Sequence, residues 1–156
     1  MTVFPYPKLN LPEASLRLRR EENSGRVQVF DPLRGKWIVL TPEEWVRQNF
    51  VNMLVSVKGY YKGRMANEVC LTLNETARRC DTVIFNEYRQ PLMIVEYKAP
   101  DIPITQRVFD QIARYNMVLH ARFLAVSNGL NHYCCEIDYS TGSYRFLKDI
   151  PPFTGG

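Results

Sequence analysis

Polar and apolar residues alternate in two short runs near the start of the chain, at residues 15–20 and 26–30, with the turn-forming segment 21–25 between them. Alternation with a period of two is typical of strands that expose one face, so this pattern predicts an N-terminal β-hairpin. The hairpin carries four arginines: Arg17, Arg19, Arg20 and Arg26. They are suited to contact the phosphates of a nucleic acid, but charged residues on the solvent face of an edge hairpin are an equally good explanation.

A helix is predicted to begin immediately after Thr41. Thr41 is a favourable N-cap, Pro42 suits the first helical position, and Glu44 stands three residues after the cap, as in a capping box. The apolar residues of this helix recur at helical spacing up to its predicted end: Val46, Phe50, Met53, Leu54 and Val57. Three residues before Val46, Glu43 falls on the same inward face, whereas Glu44 is expected to point elsewhere and to serve the cap.

Three runs with strand character, a second helix, a further strand and a closing hairpin follow. Their predicted ranges are 68–73, 80–85 and 92–98 for the strands, 106–119 for the helix capped by Thr105, 123–127 for the next strand, and 132–138 with 144–147 for the hairpin. This order predicts one α/β domain over residues 1–156. We divide it into a hairpin extension (1–40), a core (41–130) and a C-terminal hairpin and tail (131–156).

Composition places the chain among ordinary globular proteins: it has 156 residues, of which 46% are hydrophobic and 23% charged. It contains no run of about 18 apolar residues and does not begin with the pattern of a signal peptide, so we expect no membrane association and a cytoplasmic location. The net charge of +4 permits a polyanionic partner without requiring one. The four cysteines form no C-x-x-C pair, and we expect reduced thiols rather than a zinc site.

Two carboxylates occur where burial would make them costly. The predicted strands are apolar at every position over residues 83–85 and 92–95, as in central strands that are covered on both faces, and Asp81 and Glu96 belong to the same strands. A buried carboxylate needs a partner or a bound cation. If residues 87–90 form a four-residue loop, the antiparallel register places Asp81 opposite Glu96.

Lys98 follows Glu96 by two residues and therefore lies on the same face of its strand. With Asp81 and Glu43, these side chains would make an oxygen-rich site suited to Mg²⁺, with Mn²⁺ as a substitute. Such an ion lowers the pKa of a bound water and neutralises charge that develops on a phosphodiester, while a nearby ammonium orients the nucleophile or stabilises the transition state. The alternative is a Glu96–Lys98 ion pair at a strand end, with Asp81 exposed nearby.

The spacing of Asp81, Glu96 and Lys98 resembles the D…(D/E)-x-K signature of the restriction-endonuclease-like nuclease superfamily. Four longer segments resemble the N-terminal nuclease domain of type I restriction enzyme R subunits: KWIVLTPEEWVRQ (36–48), VEYKAP (95–100), FDQIARYN (109–116) and VSNG (126–129). In one departure, Cys80 stands where a proline often precedes the first catalytic aspartate. In another, the chain contains no G-x-x-x-x-G-K-[ST] motif, so the ATP-driven motor of those subunits is not expected here.

The resemblance implies a restriction-endonuclease-like core in the order α-β-β-β-α-β, with a mixed sheet flanked by helices. It further implies Asp81 and Glu96 as metal ligands and Lys98 as the catalytic lysine. A first-helix glutamate, assigned to Glu43, is implied as a supporting ligand. Two residues of the second helix, Gln111 and Tyr115, match the Q-x-x-x-Y element of the RecB-like branch, and their i, i+4 spacing places them on one helix face.

The resulting hypothesis is a Mg²⁺-dependent nuclease that hydrolyses DNA phosphodiester bonds in restriction, defence or repair. Its expected partners are DNA and other subunits of a restriction-modification system, and the sequence leaves room for a homo-oligomer. The alternative is a domain that retains the nuclease fold but only binds DNA or a protein partner. Magnesium-dependent cleavage distinguishes the two.

Overall fold

The computed structural model of the protein describes residues 6–154, so the first five and last two residues of the proposed domain lie outside it. Eleven helices and strands follow in chain order: β1 (Leu18–Arg20), β2 (Val27–Asp31), β3 (Lys36–Val39), α1 (Pro42–Ser56), β4 (Met65–Leu73), β5 (Thr76–Phe85), β6 (Pro91–Tyr97), α2 (Gln106–Met117), β7 (Phe123–Ser127), β8 (His132–Asp138) and β9 (Ser143–Phe146). One 3₁₀ turn, Lys62–Arg64, precedes β4. The protein is therefore a mixed α/β structure.

The strands form two sheets. β1, β2 and β3 make a small antiparallel sheet, whereas β4 to β9 make a six-stranded sheet whose spatial order is their order along the chain. Among the strand pairs of the described residues, β6 and β7 alone are parallel, and α2 provides the crossover between them. The interior positions of β5 and β6 agree with their unbroken apolar runs.

The predicted N-terminal hairpin is present, but it belongs to a three-stranded sheet whose third strand, β3, was not predicted. Residues 37–40 are apolar at consecutive positions and lack the alternation that marks a half-exposed strand. Asp31 closes the turn before β3, because its Oδ1 accepts a hydrogen bond from the Leu33 N–H at 2.8 Å and its carbonyl accepts one from Gly35 at 2.7 Å. Gly35 has a φ of +65°, which glycine adopts without steric cost.

The two helices cover opposite faces of the large sheet. Residues of β6 and β7 alternate between these faces with the period of two that strands impose. The α1 face includes Met93, Val95, Tyr97 and Ala125. The α2 face includes Val83, Ile94, Leu124 and Val126. Any side chain on β6 can therefore be assigned to one helix or the other by its parity.

Both helices begin at their predicted caps. Thr41 Oγ1 accepts a hydrogen bond from the backbone N–H of Glu44 at 3.1 Å, and Thr105 Oγ1 accepts one from Val108 at 3.2 Å. α1 has its predicted length, and α2 ends at Met117, two residues earlier than predicted. Over the part of the chain that the structure describes, no helix is long and apolar enough to span a membrane.

Candidate active site

Asp81 and Glu96 lie next to each other on the neighbouring strands β5 and β6. The antiparallel register pairs Thr82 with Val95, so the next position along both strands places Asp81 opposite Glu96. This is the register expected from the sequence, but the predicted four-residue loop is not observed: Phe85 pairs with Pro91, and a β-bulge next to that pair restores the predicted register. Asp81 Oδ2 accepts a hydrogen bond from the backbone N–H of Tyr97 at 2.9 Å, which holds the aspartate against β6.

Glu96 is buried without a full set of hydrogen-bond partners. Its Oε1 is shielded from solvent and has no donor among the described residues. Burial, followed by the negative charge of Asp81, raises the pKa of Glu96 to about 9. In the absence of a cation, Glu96 therefore retains a proton at neutral pH. A buried carboxyl with an unused oxygen is energetically costly, and a bound cation would remove that cost.

Lys98 directly follows the last residue of β6. Because side chains alternate along a strand, it lies on the same side of the sheet as Glu96, which is the side that α2 covers. Its backbone N–H donates to the Ser127 carbonyl at 2.9 Å and so extends the contact between β6 and β7. The positive charge of Lys98 favours the ionised form of Glu96, yet the ammonium forms no ion pair within residues 6–154. The alternative of a Glu96–Lys98 ion pair is therefore not observed, and the ammonium is available to an external anion.

Pairing between β4 and β5 is interrupted at Glu68, the residue that would face Asp81. Glu68 has a φ of +53°, a left-handed conformation that is unfavourable for glutamate and that its surroundings must hold in place. The carboxylate of Glu68 binds Arg47 at 2.9 Å and Arg79 at 2.8 Å. Arg47 also donates to the Asp81 carbonyl at 2.8 Å, so charged side chains replace the missing strand contact beside Asp81.

The prediction that Glu43 faces this site is wrong, because Glu44 is the inward residue. Glu44 is only 3% exposed, whereas Glu43 is exposed to solvent. The pattern of apolar residues predicted a buried face of α1 that is narrower than the observed one. Polar groups from β4 and from the turn before β3 cover the start of α1, so Arg47 and Gln48 are buried as well. The capping box is also half formed, since Thr41 caps the helix but the Glu44 carboxylate binds other residues.

Glu44 is the centre of a buried charged network that was not predicted. Its carboxylate accepts hydrogen bonds from Arg34 at 2.7 Å, Arg47 at 2.7 and 3.0 Å, and Gln48 at 2.9 Å. Arg34 also binds the fully buried Asp31. Burial alone would raise the pKa of Glu44, but these donors outweigh burial and hold it below its ordinary value. The spacing of Glu44, Arg47 and Gln48 at i, i+3 and i+4 was the signal for this network in the sequence.

Gln111 and Tyr115 lie on α2, and both are exposed. Arg78, three residues before Asp81, stacks over the Tyr115 ring at 4.5 Å and donates to the Tyr115 carbonyl at 3.0 Å. The structure thus connects α2 to the segment that leads into Asp81. It records no hydrogen bond between the described atoms of either α2 side chain and the two candidate carboxylates.

The carboxylates of Asp81 and Glu96 suit a hard divalent cation by the chemistry of their oxygens and by the unpartnered Oε1 of Glu96. Within residues 6–154, no group of three or more His, Cys, Asp or Glu side chains is arranged to hold a metal, so Glu43 does not complete a three-residue site. Mg²⁺ often takes one or two carboxylates and fills its remaining positions with water and substrate phosphates. A two-carboxylate Mg²⁺ site therefore fits the residues that are present.

The fold and this arrangement define a mixed α/β protein with two carboxylates and a lysine at one end of its central strands. Residues 42–151 match the family model described as Type I restriction enzyme R protein N terminus, and the match covers more than half of the chain. The chain belongs to this family.

One similar solved structure is a fragment assigned to an HsdR subunit of a type I restriction enzyme from Vibrio vulnificus YJ016. The two chains are 20% identical with a TM-score of 0.49, and the alignment covers 72% of this chain and 24% of that chain. The chain therefore spans about a quarter of the length of that relative. No curated protein sequence matches the chain.

Proposed function

We propose that this chain is a Mg²⁺-dependent deoxyribonuclease domain that acts in a type I restriction system. The buried Glu96 carboxyl, with its unpartnered Oε1 beside Asp81 and near Lys98, carries the proposal. A carboxylate with a purely structural role would have its donors supplied by the fold, as Glu44 has. Glu96 instead sits where an external cation would complete its contacts.

The order of elements supports a restriction-endonuclease-like core. α1, β4, β5, β6, α2 and β7 follow one another as α-β-β-β-α-β, with the mixed sheet between the two helices. Asp81, Glu96 and Lys98 occupy the spacing of the PD-(D/E)XK signature on β5 and at the end of β6. Membership of the R-protein N-terminal family supports DNA as the substrate and the other subunits of a type I system as partners.

The proposed chemistry assigns a separate role to each residue. Asp81 and Glu96 would hold Mg²⁺, with Mn²⁺ as a substitute, and the bound ion would supply charge neutralisation at the phosphodiester and a more acidic water. The Tyr97 N–H keeps Asp81 oriented toward Glu96. Lys98 would donate hydrogen bonds to the attacking water or to a phosphate oxygen as negative charge develops there. Gln111 and Tyr115 would contact the substrate strand from α2.

Cleavage of labelled duplex and single-stranded DNA, with Mg²⁺, with Mn²⁺ and with EDTA, tests the proposal. Lys98→Ala should slow cleavage by about 10²–10³-fold, the usual loss when one group that stabilises transition-state charge is removed. Lys148→Ala removes the same charge from an exposed position and should leave the rate unchanged. A parent protein that cuts neither substrate with either ion would contradict the proposed nuclease activity and favour the alternative of a domain that only binds DNA or a protein partner.

Metal binding and DNA binding should separate in the Asp81→Ala variant. Loss of one of two hard ligands should abolish Mg²⁺ binding in a calorimetric titration. Removal of a negative charge also lowers the repulsion of a polyanion, so DNA affinity in EDTA should stay the same or rise. Unchanged Mg²⁺ affinity in Asp81→Ala would overturn the ligand assignment.

A further inference from the structure

One face of the small N-terminal sheet is built from arginines and aromatic rings. The register pairs Arg19 with Gln28 and Phe30 with Trp37, and Arg17 hydrogen-bonds to Phe30 through its backbone. Because side chains alternate between the two faces of a strand, these five residues share a face. We call this face the arginine face. The opposite face holds the buried Val29 and Asp31, with Arg20 and Lys36 at its exposed edges.

The guanidinium groups of the two arginines of this face lie over the aromatic rings. The Arg19 guanidinium is 4.3 Å from the centroid of the Trp37 ring, and that of Arg17 is 4.6 Å from Phe30 and 5.4 Å from Trp37. The two rings meet edge to face at 5.5 Å. Arg19 Nε also donates to Gln28 Oε1 at 2.7 Å. Stacking restricts the motion of each guanidinium while leaving N–H donors at its edges.

The positive charges of the arginine face are not neutralised. Across residues 6–154, Arg17 and Arg19 form no ion pair, whereas five other arginines do: Arg34, Arg47, Arg79, Arg122 and Arg145. No carboxylate belongs to the five residues of the face.

The geometry suits phosphates along a nucleic acid strand. Arg17 directly precedes β1 and its carbonyl continues the pairing with β2, so its Cα and that of Arg19 are about 6.8 Å apart along the strand direction. Each presents a planar group that binds phosphate oxygens through two N–H donors, and each has lost part of its freedom before binding. Contacts to phosphate oxygens carry no sequence information, so binding through these groups would not depend on base sequence.

The small sheet is fixed to the candidate active site. Asn67 on β4 donates to the buried Asp31 at 3.0 Å and accepts from Thr82 at 2.7 Å, one residue after Asp81. Arg34, in the turn before β3, binds Glu44 at 2.7 Å. A strand held on the arginine face would therefore lie at a set position relative to Asp81.

We propose that the arginine face is a DNA-binding surface that contacts the phosphate backbone through Arg17 and Arg19, independently of base sequence. The choice of DNA rests on the proposed nuclease function. The unpaired, stacked arginines are observed whether or not that function holds.

Binding of two short duplexes of unrelated sequence, measured by fluorescence anisotropy in EDTA at about 50 and 200 mM salt, tests the proposal without any cleavage. Arg17→Ala/Arg19→Ala should weaken binding of both duplexes by about tenfold or more and reduce the salt dependence by about one phosphate contact per arginine. Arg20→Ala/Lys36→Ala is the matched control, since it removes two charges from the other face of the same sheet. That control should bind nearly as the parent does.

Arg17→Lys/Arg19→Lys is a milder variant that distinguishes loss of binding from loss of folding. It keeps both positive charges but removes the planar guanidinium donors. It should fall between the parent and the double alanine variant. In a Trp45→Phe background Trp37 is the sole tryptophan, and its fluorescence should change on DNA addition in step with the anisotropy.

Two results overturn the proposal: equal losses in the double alanine variant and the control, or arginine-dependent binding of polyglutamate as tight as that of DNA, which would indicate an acidic protein partner. Arginine-dependent DNA binding by a parent that never cuts DNA would uphold this proposal and reject the nuclease function. Magnesium-dependent cleavage by a protein whose DNA binding does not depend on Arg17 and Arg19 would uphold the nuclease function and reject this proposal.

Discussion

The protein contains two groups of acidic side chains that Arg47 connects, and the two groups differ in how the fold supplies their hydrogen bonds. In the network around Glu44, the carboxylate oxygens receive hydrogen bonds from arginine and glutamine side chains. In the pair Asp81–Glu96, two carboxylates share a site, and one oxygen of Glu96 has no donor in the described chain. The first group lowers the pKa of its acid, whereas the second raises it.

This difference distinguishes an acid that the fold already stabilises from one whose hydrogen bonding is incomplete. A buried acid whose donors come from the fold is already stabilised in its ionised form and has little left to offer a ligand. A buried acid that lacks a hydrogen-bond donor is energetically unfavourable, and a bound cation can remove that penalty. Arg47 connects the two groups, since it binds Glu44 and the backbone carbonyl of Asp81. The satisfied network thus supports the strand that carries the unsatisfied pair.

The largest expected effect is on folding, when the satisfied network is broken. Glu44→Ala removes a buried hydrogen-bond acceptor from Arg34 and Arg47, and it should lower the free energy of unfolding by about 3 kcal/mol. This value is near the lower end for broken buried ion pairs, because both arginines keep another acceptor. Urea unfolding monitored by circular dichroism measures this loss.

Glu43→Ala is the matched control, one residue earlier on the same helix but exposed, and it should change stability by no more than about 0.5 kcal/mol. Equal losses in the two variants, or a larger loss in Glu43→Ala, would contradict the assignment of Glu44 to the buried network.

The sequence was sufficient for the parts of the fold that local rules govern. Thr41 and Thr105 cap helices as predicted, and the apolar runs of β5 and β6 became interior strands. The register that brings Asp81 to Glu96 is also the predicted one, although a bulge rather than the predicted loop sets it. The caps and the interior strands rest on short-range spacing, which one sequence contains in full.

The sequence was insufficient where distant segments decide the outcome. Glu43 and Glu44 differ by one helical position, and the choice between them depends on Arg34, which reaches α1 from the turn before β3. The strand β3 itself lacked alternation, so neither it nor its turn was predicted. The left-handed Glu68 opposite Asp81 likewise requires Arg47 and Arg79 to hold it. Tertiary contacts of this kind leave little trace in local periodicity.

A smaller effect of opposite sign is expected when the unsatisfied pair is neutralised. Glu96→Gln keeps the size of the side chain but cannot ionise. In the parent, folding at neutral pH must return a proton to Glu96 that the unfolded chain has released, and the variant avoids this cost. In EDTA at neutral or higher pH its unfolding free energy should therefore be higher by at least about 1 kcal/mol. Magnesium should raise the Tm of the parent and leave that of Glu96→Gln unchanged, because only the parent has both ligands.

Glu136→Gln is the control for this exchange, since Glu136 already binds Arg122 and Arg145 near the surface, and it should lower stability slightly. A parent whose Tm does not respond to magnesium would remove the support for a metal site at Asp81 and Glu96.

The dependence of stability on pH should show the two groups acting in opposite directions. Burial raises the pKa of Asp31 and Glu44 less than their hydrogen bonds lower it, so both carboxyls have pKa values below the ordinary 3.8 and 4.5. Below about pH 4.5 the unfolded chain binds more protons than the folded one, and the stability that this network supplies is lost as the pH falls further.

Glu96 behaves in the opposite way, because its pKa rises from 4.5 to about 9. Between these values the folded protein keeps a proton that the unfolded chain releases, so its contribution is lost as the pH rises through that window. Urea unfolding in EDTA at a series of pH values, compared between the parent and Glu96→Gln, measures the contribution of Glu96 to the pH dependence of stability. The difference in stability between the two should grow in favour of Glu96→Gln from about pH 5 to pH 9. A difference that stays constant over this range would show that Glu96 is not held protonated by burial and by Asp81, and the contrast between the two groups of charges would fail.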